Sequence, residues 1–205
     1  MIALEPLLAP FLLAPLTTEQ LEQLRVYLAL LLKWNAKISL SAVREPEQIV
    51  RRHFGESLFA GAHLQARENS ELADLGSGAG FPGLPIAIQL PEMKITLIES
   101  QQKKVAFLRE AIRAVGIRNA SVYAGRAEDS KIKSQIVTMR AVEKFDVSVA
   151  TAASLVARGG QLVLLIGSAQ AQNARSLLPK VRWKEPIDIP ESRERVLLIG
   201  IQDQP

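Results

Sequence analysis

The hydrophobic positions of this chain change texture once, near residue 70. Before that point they repeat at helical spacing: Leu21, Leu24, Leu28, Leu31 and Leu32 share a face behind Thr17 and Gln20, whose separation suits a capping box, and predict a helix over about 18–35. Pro46 suits the first turn of a second helix, in which Ile49, Phe54, Leu58 and Phe59 recur up to Gly61. After residue 70, short apolar runs alternate with helical stretches. Strands are predicted at "ELADLG", "KITLIES" (94–100), "ASVYA" (120–124), "SQIVTM" (134–139) and "QLVLLI" (161–166). Between them stand helical stretches at 83–90, at "KKVAFLREAIRAVG" with Gly116 as its cap, and at 145–158 before Gly159-Gly160. "AQNARSLLPK" predicts a last helix, and "VRWKEPIDI" and "RVLLIGI" a closing pair of strands around the turn at Pro190-Glu191-Ser192.

Strand and helix alternating at crossover spacing imply an α/β fold, with a mostly parallel sheet covered by helices on both faces and an antiparallel pair at the end. The expected plan is an N-terminal helical cap over residues 1–68 and a doubly wound domain over 69–205, together one compact unit. Composition narrows the chemistry: the 205 residues include no cysteine, which excludes disulfides, thiolate-held zinc and catalysis through a thiolate adduct. No metal site is expected. The apolar run "LLAPFLLAPL" at residues 7–16 has Glu5 where a signal peptide carries basic residues, and Pro10 and Pro15 interrupt it, so a cytoplasmic protein without a membrane span is expected. A formal charge of +4 permits a polyanionic partner, although the basic residues are scattered in small groups such as Arg51-Arg52-His53 and Lys103-Lys104.

Ligands of doubly wound sheets bind beyond the carboxyl ends of the strands, and the first predicted strand ends there in "ADLGSGAGFPG", residues 73–83. Gly78 to Gly83 satisfies the dinucleotide pattern G-x-G-x-x-G. However, the strand ends at Asp74-Leu75-Gly76, so Gly76 takes the first turn position and Phe81 falls where that register needs a third glycine. Asp74 would also set a carboxylate at the lip where a pyrophosphate rests, and like charges at close range repel. S-adenosylmethionine carries a sulfonium and an ammonium and no phosphate, so it fits an acidic strand end better than NAD does. Glu99 ends the second strand, 25 residues after Asp74, where a carboxylate accepts hydrogen bonds from ribose hydroxyls. Gly125-Arg126-Ala127-Glu128 follows the third strand and is placed to meet the adenine edge. A tight turn without a ligand is the alternative for the glycines, and an ordinary exposed carboxylate the alternative for Glu99.

"ADLGSGAGFPGLPIAI" closely resembles the signature of the bacterial small-subunit rRNA guanine-N(7) methyltransferases, first named glucose-inhibited division protein B. "LLKWNAKISL", "VRRHFGESL", "TLIESQQKKVAFL" and Met139-Arg140-Ala141 resemble that family in the same order, so the likeness covers most of the chain. It implies a class I S-adenosylmethionine-dependent methyltransferase, Rossmann-like, with a seven-stranded sheet. Its implied target is a guanine N(7) in the decoding-region loop of 16S rRNA, with free rRNA or the small ribosomal subunit as partner and a monomer as the working state. Asp74, Gly76, Gly78 and Phe81 would form the cofactor turn, Glu99 would hold the ribose, Ala127 and Glu128 would lie along the adenosine, and Arg140 would close the site. Arg52, His53 and Arg140 are the candidates for RNA contact. The chain departs from the family pattern at Ser39, Ser41, Glu56 and Met139, and at Ile166-Gly167, where the family commonly carries Lys-Gly.

Guanine N(7) has a free lone pair and no proton to lose, so methylation there is a direct in-line displacement that requires no general base, and no catalytic residue is expected beyond a role for Arg140. The lack of cysteine excludes pyrimidine C5 methylation through a cysteine adduct, and no Asn/Asp-Pro-Pro-Tyr/Phe segment of the exocyclic-amine type occurs. Methylation of another RNA base or of a small molecule, and a non-catalytic ribosome-assembly protein, remain as alternatives on the residues alone.

Overall fold

The computed structural model describes residues 2–65, 70–140 and 144–202. The expected boundary at 68/69 and Ala141 lie outside the described residues. Helices α1 (Leu4–Leu8), α2 (Thr18–Asn35), α3 (Pro46–Ile49) and α4 (Glu56–Ala62) precede strand β1 (Glu71–Leu75). Then come α5 (Gly83–Gln89), β2 (Lys94–Glu99), α6 (Gln102–Val115), β3 (Ala120–Ala124), β4 (Ser134–Arg140), α7 (Phe145–Leu155), β5 (Val156–Gly167), α8 (Ser168–Leu177), β6 (Val181–Trp183), β7 (Ile187–Asp188) and β8 (Arg195–Gln202).

The strands form one sheet in the order β3-β2-β1-β4-β5-β8-β6, with β7 pairing farther along β8. Strands β1 to β5 are parallel, and β8 runs antiparallel to β5, β6 and β7. The array has seven strand positions because β6 and β7 are two pieces of the expected strand "VRWKEPIDI". Pro186 interrupts it, having no N–H to give the ladder.

One apolar cluster lies between the sheet, α5, α6 and the N-terminal helices, and a second lies beneath α7 and α8, so both faces are covered. The N-terminal apolar run is part of the first cluster: Leu7, Leu8 and Phe11 are buried, as is Leu4 before it. The capping box closes as its spacing predicts, with Gln20 N–H donating to Thr17 Oγ1 at 3.2 Å and Thr17 N–H to Gln20 Oε1 at 2.9 Å. Gln20 Nε2 also reaches the carbonyls of Ile88 and Gln89 at the end of α5, at 2.9 and 3.2 Å. The same residue that starts α2 thereby fastens it to the sheet layer.

Boundaries differ from the sequence reading at α8, which spans Ser168–Leu177 where the pattern predicts 171–180, and around α7 and β5. Helix α7 stops at Leu155 and not at 158, and Gly159-Gly160 lies inside β5, not ahead of it. There β4 advances from Ser134 to Ile136 while β5 advances from Val156 to Gln161, a bulge in which a Cβ on Gly160 would meet the Gln135 carbonyl at 2.6 Å. The expected helix from Pro46 to Gly61 is continuous, but Val50–Gly55 winds as a π-helix. At its end Gly55 lies so close to Phe11 that a Cβ would stand 2.5 Å from the ring.

Candidate functional site

The parallel strands end at one edge, and two differently built regions lie along it. The first spans β3, β2 and β1. Gly76, Gly78 and Gly80 all have left-handed backbone, with φ of 66°, 58° and 91°, which turns the chain sharply from β1 toward α5. Gly76 is exposed. Gly83 serves a different need: a Cβ there would lie 2.3 Å from Leu97 Cδ2 and 2.8 Å from Asp74 Oδ2, so only glycine lets α5 start this close to the sheet.

Asp74 departs from its expected place at the lip. Its carboxylate is fully buried beneath the turn, accepting from Gly83 N–H at 3.1 Å through Oδ2 and from Thr138 Oγ1 at 2.8 Å through Oδ1. Desolvation raises its pKa to about 6, against the hydrogen bonds from Thr138, Ser77 and Gly83. Any action of Asp74 on a ligand passes through the turn it braces. The charge lies at the strand end as expected but beneath the turn instead of at its lip, because an alternating strand position does not reveal which groups will cover it.

Glu99 stands at the end of β2, where the sequence places an acid for ribose hydroxyls, but it is 6% exposed and already bonded, unlike the ordinary exposed carboxylate of the alternative. Its Oε2 accepts from Gly78 N–H at 3.0 Å and its Oε1 from Gln101 N–H at 2.8 Å. The Gly125 N–H donates to the Glu99 carbonyl at 3.1 Å, tying the exit of β3 to the end of β2. Beyond it, a 3-10 turn holds Ala127 buried and Glu128 exposed, with Thr151 Oγ1 of α7 donating to Glu128 Oε1 at 3.4 Å. Topology thus brings Gly76, Gly78, Glu99, Ala127 and Glu128 to one edge.

Phe81 turns away from that edge into the N-terminal helices. Its ring stacks on Tyr27 at 5.5 Å and on His53 at 4.9 Å, and tilts against Phe54 at 5.6 Å. Tyr27, fully buried, donates its hydroxyl to the Ala79 carbonyl, and its pKa is pushed well above the usual phenol range by burial and by Asp74. The turn is therefore held from below by Asp74 and from the cap by Tyr27. Tyr27 escaped the sequence reading because its place on the apolar face of α2 marks it only as core.

The second region lies past β4. Arg140 has a side chain 8% exposed, and its Nη2 meets the Arg52 carbonyl at 2.6 Å, His53 Nδ1 at 3.0 Å and Glu56 Oε2 at 3.0 Å. Arginine only donates, so His53 Nδ1 is the acceptor and Nε2 carries the proton, which it gives to Ser41 Oγ at 2.7 Å. Burial and then the cations Arg140, Arg52 and Arg195 push the His53 pKa down to about 3, so the ring is neutral at physiological pH. Burial also lowers Arg140 to about 10, leaving it charged at neutral pH.

Among the described residues, Glu56 is the carboxylate paired with both Arg140 and Arg195; it is 1% exposed, with Arg195 Nη2 2.5 Å from its Oε1. Burial raises its pKa against the attraction of Arg140 and Arg195. Its contact with Arg140 is close but off-axis: Glu56 Oε2, like Arg140 Nη1 and Arg195 Nε, has no aligned hydrogen-bond partner among the described residues. Arg195 also escaped the sequence reading, since nothing in "ESRERVLLIG" links it to Glu56, far earlier in the chain. No group of three or more His, Asp or Glu side chains among the described residues could hold a metal ion, and no described helix is long and apolar enough to cross a membrane.

A family model described as rRNA small subunit methyltransferase G (GidB) matches residues 20–189. The Ribosomal RNA small subunit methyltransferase G of Xanthomonas oryzae pv. oryzae (strain MAFF 311018) is 42% identical over 143 residues, 69% of this chain and 66% of that protein. The protein of the same description from Xylella fastidiosa (strain 9a5c) is 36% identical over 172 residues, 82% of this chain and 80% of its own length. Among solved structures, Pyrococcus horikoshii TYW2 in complex with MeSAdo superposes with a TM-score of 0.63 at 17% identity, covering 82% of this chain and 66% of that one. The Methanococcus jannaschii fibrillarin pre-rRNA processing protein superposes with a TM-score of 0.58 at 15% identity, covering 73% of this chain and 74% of that one. At such identities the structural likeness is one of fold.

Proposed function

This chain belongs to the rRNA small subunit methyltransferase G family, and from that premise we propose that it methylates a guanine of the 16S rRNA decoding-region loop at N(7), using S-adenosylmethionine. The observation that carries the reading is the glycine turn: it is braced by buried Asp74 and Glu99, opens at exposed Gly76, and contains no basic residue between Asp74 and Gly83. Such a site suits a cationic ligand without phosphate.

In this reading Gly76 and Gly78 give the cofactor close backbone approach, and Glu99, whose two oxygens each keep a further lone pair, receives the ribose hydroxyls. Ala127 and Glu128 line the adenosine side. Asp74 and Phe81 act by holding the turn, one from beneath and one from the cap. Bound S-adenosylmethionine supplies a methyl group on a sulfonium, an electrophile ready for displacement. What remains for the protein is alignment and exclusion of water, which can contribute roughly 7 to 11 kcal/mol. His53 supports a reaction without a general base, because both of its ring nitrogens are engaged and its proton is committed to Ser41. Arg52 is exposed beside Arg140 and supplies charge toward the RNA backbone.

Incubation with methyl-labelled S-adenosylmethionine and either deproteinised 16S rRNA or whole small subunits, followed by mapping of the labelled nucleotide, tests the proposal. Label on one guanine, labile as an N(7)-methyl group, is expected; label on a pyrimidine, or none on either RNA, would sink it.

A further inference from the structure

At the ends of β4 and β5 lies a pocket of about 130 Å³, lined by Arg52, Met139, Arg140, Phe145, Leu165, Ile166, Gly167, Gln170 and Arg195. Met139 is in register with Leu75 of β1 and Leu164 of β5, so the pocket is one strand away from the glycine turn. Its wall is unusual in charge. Three guanidiniums, Arg52, Arg140 and Arg195, gather at it, and the carboxylate within reach of two of them is Glu56.

Two further observations bear on what it takes. Arg140, more than nine-tenths buried, keeps Nη1 without a partner among the described residues, and Arg195 keeps Nε so. Buried donors left unpaired are costly in the free protein. Also, the ten-residue helix α8 begins at this wall, Gln170 Oε1 accepting from Gly167 N–H at 3.0 Å, so the positive end of its dipole lies at the pocket that the guanidiniums line.

We infer that this pocket is an anion subsite which receives a phosphate of the RNA substrate next to the target guanine. The inference rests on the rRNA-methylating reading of the adjacent turn and adds to it the group by which the nucleotide is anchored. Phosphate binding there gives the surplus guanidinium charge a counter-ion, while Phe145, Leu165 and Ile166 keep the pocket narrow. Its position past β4 holds the sugar-phosphate chain fixed while the base reaches toward the cofactor edge.

The test compares guanosine 5′-monophosphate, guanosine and inorganic phosphate by calorimetry on the full chain, wild type and Gln170→Glu. Glutamate preserves the acceptor that caps Gly167 and suits a helix N-terminus, so the variant retains the fold, which a thermal melt verifies. Expected results are at least tenfold tighter binding of the monophosphate than of guanosine to wild type, competition by inorganic phosphate, and loss of that preference in Gln170→Glu with S-adenosylmethionine affinity unchanged. Equal affinity of the two nucleotides for wild type, or a preference that survives Gln170→Glu, overturns the subsite. Methylation separates the two proposals: if wild type labels guanine N(7) while Gln170→Glu leaves KM for 16S rRNA unchanged, the subsite falls and the function stands. If wild type labels no RNA, the function falls, and the nucleotide titrations still decide the pocket.

Discussion

Two halves of one sheet edge have opposite electrostatic character. At the ends of β1 and β2, carboxylates accept hydrogen bonds from backbone N–H groups: Asp74 from Gly83, Glu99 from Gly78 and Gln101. At the ends of β4 and β5, two guanidiniums share one carboxylate among the described residues, and Arg140 Nη1 and Arg195 Nε are without partners there. The acid half is satisfied by its own backbone donors, and so presets a turn. The basic half is left under-paired, as a surface must be if its counter-charges arrive with a ligand. This is the contrast that the proposed roles require, a cationic cofactor on one side and a polyanion on the other.

The largest break in this contrast is expected from Glu56→Gln, which strips the carboxylate from between Arg140 and Arg195. Removing one member of a buried ion network costs about 3 to 5 kcal/mol. Urea denaturation should show a loss of that order, and a loss below about 1 kcal/mol would mean that solvent already serves the two guanidiniums.

On the acidic half, Gly76→Asp puts a side chain and a charge into the open mouth at a left-handed position. S-adenosylmethionine affinity, measured by calorimetry, should fall at least tenfold, about 1.4 kcal/mol or more. Unchanged affinity would place the cofactor elsewhere.

Acid sharpens the comparison, because the buried groups of the two halves titrate in opposite senses. His53 has a folded pKa of about 3 against an ordinary 6.5, so the unfolded chain binds its proton first and stability is lost as pH falls from 6.5 toward 3. Asp74, raised from 3.8 to about 6, is protonated first in the folded chain, so it contributes stability below 3.8 that is lost as pH rises through 6. Replacing His53 by Gln removes only the first effect. The stability of His53→Gln relative to wild type should therefore improve on acidification between pH 6 and 4, by about 1.4 kcal/mol per pH unit at most. A constant difference across that window would show that the ring is already protonated in the fold.

The smallest expected effect is that of Tyr27→Phe. It deletes the hydroxyl that holds the Ala79 carbonyl and leaves the aromatic stack in place, for a cost of about 1 kcal/mol. If the cap positions the cofactor turn, S-adenosylmethionine affinity should weaken severalfold in this variant while the melting temperature drops by only a few degrees.

The amino-acid sequence shows the order of the main elements, the parallel core of the sheet, the capping box at Thr17, and which residues stand at the strand ends. These follow from short-range rules: periodicity of apolar positions, turn chemistry, and the topological consequence that parallel strands end on one edge. It also carried the family, through "ADLGSGAGFPG" and the segments around it. Only the tertiary structure decided where charge goes. Asp74 could be read as a strand-end acid, yet its burial depends on Thr138, 64 residues away, and on how closely Gly83 lets α5 approach. Phe81 could be read as part of the turn, yet its ring belongs to the cap because Tyr27, His53 and Phe54 converge on it. The pairing of Glu56 with Arg140 and Arg195 joins three distant segments, and its strength arises from desolvation, a property of the packed molecule that no local pattern encodes.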